Sequence, residues 1–442
     1  MFPDSANTGN YRHVRLFSGP PNASRSRHLP LGRSGVKSLE TPLAVAAQSS
    51  QTHAARRWFG IGRSVDRDAN AAGAQAASAA LAGRTASLVV VFCPATIDMA
   101  AMLDGVRAVV CDVPLIGGTG LAQYAADGSV EPAVIVSALG GEGFEVRTSV
   151  AMNVSAGQRA AGEQVAEAVE MLTREHQMLL LLCDGLAGEQ HEMVRGAYSV
   201  VGATVPLAGG CTSDDLNYVR TSQFFSDADG VHVLSDAVVA AAIGSDAPMG
   251  IGVAHGWRKV GEPMVVTSSK GGHVGTLDGQ PALDVFLDRI GATRSIAEDM
   301  KVFNPLAMSH PLGMSRRAGE DIRVIHGANP ADGSIACLAD VPQGALLWMM
   351  ESDQQGLIDC VDDAYDESLA SLGGLPPIGF LAFDCAGRHQ ALGPEGLSEE
   401  LDRLVGKAAG VPLAGFYTYG EVARTRGAQG MHHMTLVMLA FA

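Results

Sequence analysis

Near its C-terminus the chain reads Gly415-Phe-Tyr-Thr-Tyr-Gly-Glu421, which sets two phenols and a carboxylate within a few residues. A carboxylate beside aromatic faces suits an ammonium group, because charge pairing and cation–π attraction add. Upstream, Cys385-Ala-Gly-Arg388-His389 follows an apolar run, the place where α/β proteins set ligand-facing groups. The Arg388 guanidinium can grip a carboxylate through two parallel hydrogen bonds. Arg388 and Glu421 in one pocket would therefore complement both ends of an amino acid. The structural alternative is that Arg388 pairs with Glu421 or another acid, while the tyrosines pack between lobes and Glu421 caps a turn. Arg388, Tyr417, Tyr419 and Glu421 are the candidate ligand residues, with Asp214 as a further contributor.

Other chemistries find less support. Cys385 as a nucleophile needs an activating base and a cationic neighbour, and Arg388 and His389 are near in sequence. Packing explains it as well, since Cys93 and Cys183 hold what reads as the equivalent slot without such neighbours. His432 and His433 are adjacent, so on a strand they point to opposite faces. With no HExxH or paired CxxC, a metal site is not expected. His255, His310 and His326 stand as candidate axial ligands should haem bind. The Gly118-Thr-Gly120 and Gly250-Ile-Gly252 pairs lack the third glycine of a dinucleotide loop, and no Walker lysine follows any glycine-rich stretch.

The aromatic stretch opens with a phrase that occurs three times: Pro114-Leu-Ile-Gly-Gly-Thr-Gly120, Pro206-Leu-Ala-Gly-Gly-Cys-Thr-Ser-Asp214 and Pro412-Leu-Ala-Gly-Phe-Tyr-Thr-Tyr-Gly-Glu421. Such repetition implies duplicated structural units. Each phrase follows a buried apolar strand and an amphipathic helix. Leu88–Cys93 precedes a helix carrying Met99, Met102, Leu103, Val106 and Val110 on one face. Met178–Cys183 precedes one carrying Gln190, Val194, Ala197 and Val201, and Ile378–Cys385 one carrying Leu397, Leu401, Leu404 and Ala408. An apolar strand follows each phrase, at Ala133–Leu139, Ala237–Ile243 and Thr435–Phe441, and in the first copy an alternating strand, Phe144–Met152, then closes the unit. The long interval before Cys385 leaves room for a degenerate fourth copy at about 255–350. In that stretch Asp278-Gly279 is a turn signal and Pro281 suits the first turn of a helix ending near Ile290. The expected fold is α/β: two lobes built from repeated strand–helix–strand units, with mixed sheets covered by helices.

Composition sets the wider frame. The formal charge of -16 argues against a nucleic-acid surface, which needs a basic face. Apolar runs are too short to span a bilayer as helices, so no membrane partner is expected. Seven scattered cysteines read as a reduced, cytoplasmic protein. Residues 1–57 carry eight Lys or Arg against two Asp or Glu, about +6, which leaves about -22 for the rest. This tail is expected to be disordered, although its Arg-rich, acid-poor composition also fits a transit peptide.

Together these residues resemble the FIST family of bacterial sensory proteins, whose domain also occurs in F-box proteins. The matching elements are Pro206–Asp214, His255-Gly256, Val265-Val266-Thr267, Leu277-Asp278-Gly279-x-Pro281-Ala282, Phe383-x-Cys385-Ala386-Gly387-Arg388 and Gly415–Glu421. The resemblance runs from about Trp58 to the C-terminus. It implies a FIST N-terminal domain at 58–279 and a FIST C-terminal domain at 280–442. The implied function is small-ligand sensing, of amino acids or related metabolites, and not catalysis. No kinase or cyclase module is recognisable in these residues, so signalling is expected to pass to a separate partner protein. No cofactor is expected. The alternatives are a haem-binding nitric-oxide sensor, as in one related subgroup, a cysteine-dependent enzyme, and a protein-interaction scaffold.

Overall fold

Three strand–helix–strand–helix–strand units carry the phrases. The structure is a computed structural model that describes residues 57–126, 132–316, 319–425 and 430–442. All of the expected N-terminal tail except Arg57 lies outside these described residues. The first unit runs β1 (Trp58–Ser64), α1 (Ala69–Leu81), β2 (Leu88–Cys93), α2 (Met99–Val110), β3 (Leu115–Thr119), β4 (Gln123–Ala125) and β5 (Val134–Gly140). The second runs β6 (Phe144–Met152), α3 (Gln158–Ala166), β7 (His176–Asp184), α4 (Gln190–Val201), β8 (Leu207–Thr212), β9 (Gln223–Asp227), β10 (Gly230–Leu234) and β11 (Ala237–Ser245). The third opens with β12 (Met249–Ala254) and is then interrupted.

The interruption holds β13 (Arg258–Lys270), β14 (His273–Leu277), β15 (Gln280–Pro281), α5 (Ala282–Arg289), α6 (Met300–Met308), β16 (Leu312–Arg316), β17 (Gly319–Arg323), β18 (Ile325–Asn329), β19 (Ser334–Cys337) and β20 (Leu346–Glu351). The third unit resumes with α7 (Gln354–Ala370), β21 (Gly379–Cys385), α8 (Ala386–Ala408), β22 (Leu413–Thr418), β23 (Glu421–Arg424), β24 (Met431–His432) and β25 (Leu436–Phe441). Local chemistry sets the helix starts. Asp68, Asp98 and Asp353 each accept a backbone N–H from the first turn of α1, α2 and α7, which satisfies a donor the helix cannot.

Strand pairing is the same in all three units. The opening strand lies antiparallel to the closing strand, which lies antiparallel to the first buried strand: β1–β5–β2, β6–β11–β7 and β12–β25–β21. The buried strand then pairs in parallel with the phrase strand, β2–β3, β7–β8 and β21–β22. The phrase prolines mark where that pairing begins. Val89, Leu179 and Phe380 donate their N–H groups to the carbonyls of Pro114, Pro206 and Pro412 at 2.9, 3.0 and 2.8 Å.

The free edge of each phrase strand is covered by a strand from another unit. β4 pairs with β22, β9 with β3, and β23 with β8. This cyclic exchange closes the three sheets around one core, to which all three contribute, with Phe92, Leu182, Phe383, Phe416 and Phe441 among its members. Helices cover the outer faces in three separate clusters. The exchange crosses residue 280, because β4 and β12 join β21, β22 and β25, while β23 and β24 join β7 and β8. The described residues accordingly fall into one compact unit.

The α/β class, the repeated units and the helix-covered mixed sheets are as the sequence implies. The segment at 255–350 is different. It is no degenerate copy but a sheet in the order β17-β16-β20-β13-β14-β19-β18, every pair of it antiparallel. It has its own core of Phe286, Phe303, Leu283 and Leu312. Asp278 and Gly279 both adopt positive φ, 51° and 79°, in the turn from β14 to β15. Gly250-Ile-Gly252, which fails as a nucleotide loop, is a packing device. A side chain at either glycine would strike the α7 backbone at Ser368 and Ala364, as one at Gly60 or Gly62 would strike α1 at Ala80 and Ala76.

Candidate functional site

The C-terminal ends of β2, β7 and β21 meet the ends of the phrase strands. There Leu121, Ser213 and Tyr419 donate backbone N–H groups to the carbonyls of Tyr417, Thr119 and Cys211, at 3.3, 3.0 and 3.1 Å. Each bond leads to another unit, so the three close a ring. Strand register corrects one equivalence drawn from the sequence. Leu115, Leu207 and Leu413 face Val89, Leu179 and Phe380, so the counterpart of Cys93 and Cys183 is Asp384, and Cys385 matches Asp184.

The third unit fills this end with buried charge. Arg388, in the first turn of α8, is fully buried. Its Nε donates to Asp384 Oδ1 at 2.8 Å, and its Nη2 to Glu400 and to the Leu357 carbonyl at 3.1 Å. Burial opposes the Arg388 charge, yet Cys360, Asp384 and Glu400 hold its pKa above the ordinary value. Burial, reinforced by Asp384, pushes the Glu400 carboxyl upward, against the pull of the Arg388 charge. The Tyr417 hydroxyl donates to Glu400 Oε2 at 3.1 Å, and its ring lies 5.4 Å from that of Tyr124.

Glu421 is equally sealed. It accepts from Thr418 Oγ1 at 2.7 Å and from Thr435 Oγ1 at 2.8 Å, and burial pushes it up to about 8. Gln123 and Gln223 take its place in the other units, facing Phe416 and Gly118 as Glu421 faces Gly210. The expected pocket with Arg388 at one end and Glu421 at the other is therefore not formed. Both groups are 0% exposed and spend their hydrogen bonds inside the protein.

Asp214 and Tyr419 do come together. The Tyr419 hydroxyl donates to Asp214, whose carboxylate also receives the N–H groups of Tyr218, Val219 and Arg220 at 3.1, 2.8 and 3.2 Å. This locks a loop in which Leu216 and Tyr218 adopt left-handed φ of 66° and 55°, a conformation costing non-glycine residues about 1 kcal/mol or more. Tyr218 stacks on Tyr419 with centroids 4.9 Å apart. The carboxylate itself is occupied and 3% exposed.

A cavity lies elsewhere, in residues that sequence reasoning missed. Between Val260 and Met264 the β13–β20 register breaks, and Gly261, at φ 68°, bulges away from β20. Bulges of this kind re-aim strands beside functional sites. The gap is a cavity of about 190 Å³ lined by Val260, Gly261, Arg289, Ile290, His310, Met349 and Glu351. Arg289 ends α5, His310 follows α6, and Met349 and Glu351 lie on β20.

Among the described residues neither Arg289 nor Glu351 has an ion-pair partner. Arg289 Nη1 donates to the Glu262 carbonyl at 3.1 Å. Arg258, opposite Glu351 across the strands, turns to Asp353 at 3.7 Å instead. His310 Nδ1 lies 2.9 Å from the Leu306 carbonyl, so as its donor the ring leaves Nε2 as an acceptor. One signal could have marked the place: Gly261-Glu-Pro263 interrupts an otherwise strand-like run, and proline cannot donate to a ladder.

The histidines considered for haem are scattered. His255 accepts from the Trp257 N–H at 2.9 Å, His310 lines the cavity, and His326 is exposed on β18. Among the described residues no group of three or more His, Cys, Asp or Glu is arranged to hold a metal ion.

The FIST N domain family matches residues 87–280 and the FIST C domain family residues 282–424. The chain belongs to the FIST family. FIST domains are associated with sensory binding of small ligands. An uncharacterised protein of Mycobacterium tuberculosis (strain H37Rv) is 26% identical over 398 residues, covering 87% of this chain and 99% of that one. An uncharacterised protein of Mycobacterium bovis is 28% identical over 203 residues, 43% of this chain and 49% of that one. A cyanuric acid hydrolase from A. caulinodans is 12% identical with a TM-score of 0.26, covering 43% of this chain and 71% of the solved one. Among the described residues no helix is long and apolar enough to cross a membrane.

Proposed function

We propose that this FIST protein is a sensor for an amino acid or a closely related zwitterion, bound in the cavity beside the β13 bulge. The observation that carries the reading is the pair of opposite, unpaired charges, Arg289 and Glu351, on the walls of one cavity. Arg289 would take the carboxylate and Glu351 the ammonium group, while Val260, Ile290 and Met349 receive an aliphatic side chain. At about 190 Å³ the space equals roughly six water molecules of liquid. It is smaller than drug-sized pockets of about 300 Å³ and more, and it suits a ligand of amino-acid size.

The protein acts in this reading as a sensor and not as an enzyme, and its signal passes to a separate partner protein. Cys385 is the reverse of an activated nucleophile, because burial, and then the Glu421 charge, push its thiol well above the ordinary value. No observation favours haem over a small zwitterion. A thermal-shift and calorimetric screen against amino acids, with their deaminated and decarboxylated analogues, tests the reading. A zwitterion that stabilises the wild type by mass action, and whose two analogues do not, is the expected result. No response to any amino acid at millimolar concentration would refute it.

A further inference from the structure

Away from that cavity, the ring of His433 is 3% exposed, and neither of its nitrogens has a hydrogen-bond partner. A neutral imidazole carries one donor and one acceptor, and each left unmet inside a protein costs about 1–3 kcal/mol. Nearby, His191 on α4 has a buried Nε2 that is also without a partner. The two rings stand 6.4 Å apart, centroid to centroid. Gly420 brings a third group to the same spot. A side chain there would strike the Met431 Cε methyl and come 3.2 Å from His433 Cε1, so the end of the Met431 side chain and the imidazole crowd one bare backbone position.

We infer that His191, His433 and Met431 form a site for a soft monovalent metal ion, Cu(I), bound between the two imidazoles with the thioether alongside. The span matches two rings across a near-linear ion more closely than two rings on tetrahedral zinc. An imidazole nitrogen binds a late transition metal at about 2.0 Å, which sets the ring centroid about 3.1 Å from the ion. Two rings in a near-linear arrangement then stand about 6.2 Å apart, while tetrahedral zinc would draw them to about 5 Å. Thioether sulfur is a soft ligand that favours Cu(I).

The test is anaerobic competition between the untagged full-length protein and the colorimetric Cu(I) chelator bicinchoninate. A Cys111→Ser background removes the one exposed thiol among the seven cysteines. One equivalent of Cu(I) should be withdrawn, Ag(I) should compete for it, and zinc should not. His191→Ala should weaken binding at least tenfold and Met431→Leu several-fold. Because His433→Ala perturbs a packed region, X-ray absorption of the Cu(I)-loaded protein reads the ligands without mutation. Two nitrogens and one sulfur are expected. No Cu(I) withdrawn, uptake unchanged in His191→Ala, or an all-sulfur ligand shell would each overturn the site.

Discussion

The end of the phrase strands and the cavity beside the β13 bulge handle charge in opposite ways. At the strand ends Arg388 is sealed among Asp384, Glu400 and backbone carbonyls, and Glu421 sits between two threonine hydroxyls. Beside the bulge Arg289 and Glu351 are solvent-exposed, lack ion-pair partners among the described residues, and line one cavity. Buried polar groups bonded to one another serve architecture, since they hold α8 against β21 and β22. Unpaired charge around a cavity has capacity left for a ligand. The same pair of side-chain types, one Arg and one Glu, thus does different work according to what already surrounds it.

The comparison can be broken most forcefully at the sealed end. Arg388→Ala leaves Asp384 and Glu400 buried without their cation, and should cost about 3–5 kcal/mol of stability in chemical denaturation. A loss below about 1 kcal/mol would show that the network is not structural. Next in size is a pH effect. Glu421 is pushed up to about 8 in the folded protein, against about 4.3 for an unfolded glutamate. Between those values the folded state holds more protons than the unfolded one. The contribution of this group is thus fully present below about pH 4.3 and is lost as pH rises toward 8, by up to about 1.4 kcal/mol per pH unit. Melting temperature measured from pH 6 to 9 should decline, and Glu421→Gln should flatten the slope.

At the cavity the pattern reverses. Arg289→Ala should change stability by no more than about 0.5 kcal/mol, as for an exposed side chain. It should weaken the ligand by roughly tenfold or more, the worth of a charge-assisted hydrogen bond of about 1.5–3 kcal/mol. Glu351→Gln should show a smaller, selective loss: weaker binding of the zwitterion, and no change for its deaminated analogue. The smallest effect is expected at the locked loop. Tyr419→Phe removes one of the hydrogen bonds to Asp214, and should lower stability by about 1 kcal/mol and speed amide exchange at Tyr218, Val219 and Arg220.

Much of the fold was legible because it rests on local periodicity. The stripe Met99–Val110 and the alternating strand Phe144–Met152 appear with those bounds, and the three prolines mark the start of equivalent parallel strands. What sequence could not supply is what long-range pairing decides. Phe144–Met152 reads as closing the first unit but opens the second, because its partner is β11. The exchange of β4, β9 and β23 has no local signature. The apparent match of Cys385 with Cys93 slips by one residue, enough to move a side chain from one sheet face to the other.

The candidate residues were chosen by chemical type, and type does not reveal burial. Arg388 and Glu421 are the right groups for an amino acid, yet they are enclosed by Glu400, Thr418 and Thr435, which no short motif ties to them. The pairing of Asp214 with Tyr419 joins the last residue of one repeated phrase to a residue near the end of another. The cavity residues stayed hidden because Arg289, His310 and Glu351 come from three distant elements, brought together by a bulge.

The most direct test is isothermal titration of the best amino acid from the screen into wild type, Arg289→Ala and Arg403→Ala. Arg403 is a control arginine paired on the surface with Asp362 at 2.7 Å. Binding weakened by roughly tenfold or more in Arg289→Ala alone, with its fold intact by circular dichroism, is the predicted result. Undiminished binding in Arg289→Ala would contradict it and place the ligand outside the cavity.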